Sequence, residues 1–141
     1  KWKCLGCGTA SRCRRAGEGR MRMISVLAAL CGFLAVAFGA FAAHGLADPA
    51  AKSLAETGAR YQMYHALAGL GVVALMRAGA RAARFSAPFF FAGTLLFSGS
   101  LYALAFGAPR AIGLVTPMGG VLLLIGWLVL GIAAWRWRAD G

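Results

Sequence analysis

The sequence predicts an all-α, polytopic membrane protein: four transmembrane helices in an antiparallel bundle, with a short extra helix in the first outer loop. Three observations carry that prediction. The 141 residues are 60% hydrophobic and only 13% charged, whereas soluble domains hold roughly 45–50% apolar and about 25% charged residues. The apolar residues are gathered into four long segments. The basic residues lie between and outside those segments, where the loops of a membrane protein carry them. Mean hydropathy is +0.70. The formal net charge is +11, from 15 Lys and Arg against 4 Asp and Glu. A basic balance can signal nucleic acid, but cations that flank apolar runs signal topology instead.

Residues 1–22 form a basic leader without helical or strand periodicity, expected to be disordered. The chain opens on Lys1, while Met21 and Met23 stand directly before the first apolar run, so residues 1–20 are expected to be an upstream extension, or the chain a fragment. Cys4 and Cys7 have the spacing of a zinc-binding pair, but a structural site needs four ligands. Cys13 is the third thiol nearby and Cys31 falls within an apolar segment, so no metal is expected. A leader facing the reducing cytoplasm should form no disulfide.

The first membrane segment covers 23–43, free of charge and long enough for the ~30 Å hydrocarbon core. A signal peptide is its rival reading, with Arg22 as basic flank and Ala40-Phe41-Ala42 as a small-x-small site, but the run exceeds an ordinary signal core. Ala28, Gly32, Ala35, Gly39 and Ala42 recur at spacings that put them on one helical stripe. Such a stripe lets a second helix approach closely and reads as a packing seam. Residues 44–60 form the first loop, where Asp48-Pro49 reads as an N-cap followed by proline at N1. A short helix from Pro49 to about Thr57 should follow and close near Gly58.

The second segment, 61–78, is the least apolar, because it carries Gln62 and His65. A basic turn over Arg77–Phe85 leads into the third segment, 87–106. A tight hairpin at Gly107–Arg110 leads into the fourth, 111–135, on which Gly119, Gly126 and Ala133 mark a second seam. Residues 138–141 are a tail, so the transmembrane domain spans 23–137.

Charge then sets orientation. With the N-terminus inside, the leader cations, Arg77, Arg81, Arg84, Arg136 and Arg138 fall inside, and only Lys52, Arg60 and Arg110 fall outside. The excess of inner cations predicts both termini in the cytoplasm. Trp135 and Trp137 then sit at the inner interface, and Trp127 within the fourth span.

Polar side chains inside lipid mark either interhelical contacts or function. Thr94, Ser98 and Tyr102 share one stripe of the third helix, and Tyr61 and His65 one stripe of the second. With His44, Gln62, Ser100 and Thr116, they are expected to form a polar layer in the outer half of the bundle. Pro117 should break the fourth helix there and free the carbonyl of Gly113. Two readings stay open: a pocket for a small solute or lipid headgroup, or side chains that satisfy one another. No zinc-protease, nucleophile-elbow or phosphate-loop motif occurs, and Asp48, Glu56 and Asp140 lie in loops or the tail. No cofactor, no metal and no enzymatic activity are expected.

Four stretches together carry a resemblance. Gly39-Ala40-Phe41-Ala42-Ala43-His44-Gly45-Leu46, Arg60-Tyr61-Gln62-Met63-Tyr64-His65-Ala66-Leu67, Leu96-Phe97-Ser98-Gly99-Ser100-Leu101-Tyr102 and Thr116-Pro117-Met118-Gly119-Gly120, the last followed by Gly126-Trp127, occur in that order. They resemble the motifs of the YgdD/YwdK-like family of small bacterial inner-membrane proteins, a domain of unknown function related to eukaryotic transmembrane protein 256. The resemblance covers about 23–135 and departs at Ala42, where the motif has glycine. It implies four transmembrane helices in the inner membrane and recurrence of the same His, Tyr, Ser and Thr positions in relatives. It implies no reaction. The expected function is a non-enzymatic membrane protein that packs against itself, a protein partner or lipids, without nucleic acid. The alternatives are a small-solute transporter or channel, and an outward-facing, histidine-dependent sensor or headgroup binder.

Overall fold

A computed structural model describes residues 10–137. The described residues form four long helices and no strand: α1 (Ala10–Gly45), α2 (Pro49–Arg77), α3 (Ala87–Ala105) and α4 (Val115–Arg136). Two 3-10 helices, Arg81–Phe85 and Arg110–Leu114, lead into α3 and α4. Successive helices are antiparallel. α1 packs on α2, α2 on α3 and α3 on α4, while α1 and α4 share little surface, so the order is that of an open row rather than a closed ring.

Small residues set two of these interfaces. Ala28, Ala35 and Ala42 of α1 are buried. A Cβ built on Gly32 would lie 3.9 Å from the Cβ of Ala66, and one on Gly39 3.6 Å from that of Ala59. Between α3 and α4 the backbones themselves meet: a Cβ at Gly119 would fall 2.4 Å from the Phe97 nitrogen. Without side chains to hold the helices apart, dispersion contacts and interhelical bonds replace the hydrophobic effect that lipid does not supply.

The turns follow from local chemistry. Asp48 caps α2, its carboxylate accepting the Ala51 amide at 2.9 Å, and Pro49 follows at N1. Lys52 donates from Nζ to the carbonyl of Ala43 at 3.1 Å and so stops α1 from the first turn of α2. α2 and α3 both end in Schellman motifs. Ala80 donates to Leu75 at 2.9 Å and Ala108 to Ala103 at 2.9 Å. Gly79 (φ +112°) and Gly107 (φ +87°) take the left-handed position that such motifs require.

Three expectations need correction. Residues 10–22 are helical and continuous with α1 rather than an irregular leader. They contain no proline, and extending an existing helix costs far less than nucleating one. Cys4 and Cys7 lie outside the described residues, as does the tail 138–141. Second, no short helix closes at Gly58, because α2 runs unbroken from Pro49. Gly58 is there to admit a ring: a Cβ at that position would meet the Tyr102 ring at 2.9 Å. Third, α4 begins at Val115 rather than 111, which puts Pro117 at its third residue. The first four amides of a helix have no intrahelical acceptor, so Pro117 starts α4 without breaking it.

Among the described residues three stretches are long and apolar enough to cross a membrane: Arg15–Gly45, Arg81–Ala105 and Arg110–Arg136. The outer surface is correspondingly apolar, with Phe33, Leu95, Leu114 and Leu124 all largely exposed. α2 has 29 residues, about 43 Å of helix, but Lys52, Glu56 and Arg60 occupy its first half.

Candidate functional site

Two apolar clusters fill the interior. One, holding Ala42, Ala55, Ala59 and Tyr102, lies toward the α1–α2 turn. The other, holding Ile24, Val72, Val73, Ala87, Phe90 and Leu123, lies toward the α2–α3 turn. Between them on α2 and α3 stand Gln62, His65, Thr94 and Ser98, all buried. The polar groups therefore form a middle layer between two dry ones.

Gln62 ties three helices. Its Nε2 donates to the backbone carbonyl of Cys31 on α1 at 2.9 Å, and its Oε1 accepts the Tyr102 hydroxyl of α3 at 2.8 Å. The Tyr102 ring is held from both sides, stacked on Phe38 at 4.2 Å and seated against Gly58. Each bond replaces water that a bilayer does not provide, so a missing partner would be costly.

His65 has both ring nitrogens engaged. Nδ1 lies 2.7 Å from the Tyr61 carbonyl, and Nε2 lies 3.2 Å from the indole nitrogen of Trp127 on α4. A carbonyl only accepts and an indole N–H only donates. The imidazole is therefore neutral, with its proton on Nδ1 and the Nε2 lone pair committed to Trp127. Its ring lies among Tyr61, Phe90 and Trp127, with the Phe90 centroid at 5.6 Å. No lone pair is left over for a metal or for abstracting a proton unless Trp127 moves away.

α3 and α4 share a third contact, Ser100 Oγ to Thr116 Oγ1 at 2.7 Å, while Ser100 also lies 2.9 Å from the Phe97 carbonyl. Thr94 and Ser98 differ. Their hydroxyls are buried and have no hydrogen-bond partner among the described residues. They stand one turn apart on α3, between Phe90, which packs on His65, and Tyr102, which bonds Gln62.

The structure thus brings together Gln62 with Tyr102, His65 with Tyr61, and Ser100 with Thr116. It leaves His44 apart, exposed at the end of α1. Tyr61 is 41% exposed, its ring 4.8 Å from Phe97, and Pro117 is exposed beside the half-buried Thr116. Sequence reasoning missed Trp127 as the partner of His65. An indole N–H in an apolar span seeks an acceptor, and Trp127 stands eleven residues, three helical turns, beyond Thr116. It also missed the Cys31 carbonyl, which no side-chain pattern can reveal. Among the described residues no three His, Cys, Asp or Glu are placed to share a metal ion.

Comparison with known proteins points one way. The family model described as "Protein of unknown function (DUF423)" matches residues 38–120, a stretch that holds Gln62, His65, Ser98, Ser100, Tyr102 and Thr116. A UPF0382 membrane protein of Haemophilus influenzae is 48% identical over 113 residues, covering 78% of this chain and 91% of that protein. One from Staphylococcus epidermidis is 44% identical over 117 residues, covering 80% and 95%. The UPF0382 inner membrane protein YgdD of Escherichia coli is 41% identical over 124 residues, covering 85% and 95%. No solved structure matches the chain.

Proposed function

The chain belongs to the DUF423 family of membrane proteins, and from that membership and the mutual bonding of most of its buried polar side chains we propose a non-enzymatic integral membrane protein whose work is contact with lipid or a protein partner. In this reading all four helices cross the bacterial inner membrane, as the name of the Escherichia coli relative invites. Both termini then lie in the cytoplasm, as the positive-inside balance requires. Gln62, His65, Tyr102, Ser100 and Thr116 hold the helices together.

One observation carries this reading: each of those five side chains bonds another of them, a backbone carbonyl or Trp127. A double-mutant cycle with Gln62→Leu and Tyr102→Phe, read by thermal unfolding in detergent, tests it. Interhelical bonds in membranes contribute ~0.6 kcal/mol on average and up to about 1.7. The expected result is that each single change lowers stability and the pair costs less than the sum, by about 1 kcal/mol. Strictly additive effects would count against the closed network.

A second reading, a polar path for a small solute, is favoured by the unpaired hydroxyls of Thr94 and Ser98. Flux of small polar solutes into proteoliposomes that falls on replacing His65 by alanine would support it, and unchanged flux would remove it.

A further inference from the structure

The second half of α4 carries a feature that helix packing does not explain. Trp127, Gly131 and Trp135 stand at successive turns of one face. With Leu128, Ile132 and Arg136 they line an open groove of ≈ 550 Å³. Of the four glycines in α4, Gly131 alone has open space where a Cβ would stand, with nothing among the described residues within 4 Å. At Gly119 and Gly126 the added atom would strike α3, at 2.4 and 2.7 Å, and at Gly120 it would touch Phe97 at 3.8 Å. A glycine inside a helix is destabilising against alanine, and at Gly131 no close helix approach offsets that. What it leaves is a clear floor between two indoles.

The groove is built at both ends. Trp127 is half exposed, yet its indole is fixed by the bond to His65 and by an edge contact with Phe90 at 5.3 Å. At the other end stands Arg136, the last residue of α4. The 3-10 helix that carries Arg81 and Arg84 packs against α4. Arg84 has a buried Nε with no hydrogen-bond partner among the described residues, and Arg81, Arg84 and Arg136 together make this end of the bundle rich in cations. From Arg136 to Trp127 is nine residues, about 13.5 Å of helix, close to half of the ~30 Å hydrocarbon core. The groove thus runs from headgroup level at its arginine to the depth where one leaflet ends.

We propose that this groove holds one anionic phospholipid, with an acyl chain lying over Gly131 between Trp127 and Trp135 and the phosphate engaged by Arg136. The inference rests on the membrane-embedded reading above and names the lipid class that reading leaves open. It also gives the polar layer a second consequence, since His65 holds the inner wall of a site that faces lipid.

Native mass spectrometry of the full chain, released from detergent with equal amounts of phosphatidylglycerol and phosphatidylcholine of matched chains, tests it. The expected spectrum shows one retained phosphatidylglycerol, preferred about tenfold, because phosphatidylcholine offers the same phosphate but brings its own cationic choline to a cation-rich end of the bundle. Arg136→Gln should erase the preference, Gly131→Leu should remove the retained lipid, and Arg110→Gln at the opposite end should change neither. Equal retention of the two lipids, or phosphatidylglycerol held by Gly131→Leu as well as by the unaltered chain, would overturn the proposal. So would a doubled mass that Gly131→Leu abolishes, because a second copy would then cover the groove. The Gln62–Tyr102 thermal cycle reads the packed polar layer alone, so a failed lipid site and a failed packing network give different results.

Discussion

At Gly58 a missing side chain decides how two helices meet. The Tyr102 ring occupies the space where a Cβ would stand, is backed by Phe38, and is tethered through its hydroxyl to Gln62. It has no free direction in which to yield. Gly58→Ala should therefore destabilise by about 1–2 kcal/mol, overpacking outweighing the helix propensity gained, and thermal unfolding in detergent reads the loss. The unpaired hydroxyls predict the opposite sign. Thr94→Val removes a buried polar atom that has no partner among the described residues and keeps the shape. Under the packing reading it should leave stability unchanged or raise it by up to about 1 kcal/mol. A marked loss would show that the hydroxyl has a partner, such as bound water.

At the scale of elements, the N-terminus of α2 is the clearest case of local chemistry setting structure. Asp48→Ala should cost about 1 kcal/mol and speed hydrogen exchange at the Ala51 amide, which loses its acceptor. The start of α4 makes a contrasting prediction. Because Pro117 sits in the first turn, replacing it with alanine should shift stability by less than about 0.5 kcal/mol, since no intrahelical bond is restored. A gain near 3 kcal/mol, the usual cost of proline inside a helix, would instead mark a real break.

At the scale of the molecule, the number of crossings depends on α2. Its first half is charged and its second half apolar, and its buried Gln62 bonds α1 and α3 while His65 bonds α4. Under the four-span proposal, reporters fused after residues 47 and 108 should report the outside, and those after residues 80 and 141 the cytoplasm. Reporters after 47 and 80 on the same side would show that α2 does not cross. The open row of helices adds a second expectation. α1 and α4 each meet the rest of the bundle mainly through one neighbour, so both present wide apolar faces, and the lipid groove lies on one of them.

That the chain is helical and apolar, and where most of its turns fall, is legible in the sequence, because length, hydropathy and capping act within a few residues. Asp48 caps an amide three residues away, Pro49, Gly79 and Gly107 act through their own backbones, and the alternating Gly and Ala of α1 state a face whichever helix comes to meet it. Which polar groups answer one another is settled only when the helices pack. Gln62 could have met any helix, and its acceptor on α1 is a backbone carbonyl that no residue type announces. His65 could have faced Tyr61 alone, but its second nitrogen meets Trp127 across sixty-two positions of chain. Gly58 reads as a stop because glycine ends many helices. It is instead a slot, because what a glycine does depends on the ring that comes to occupy its missing side chain.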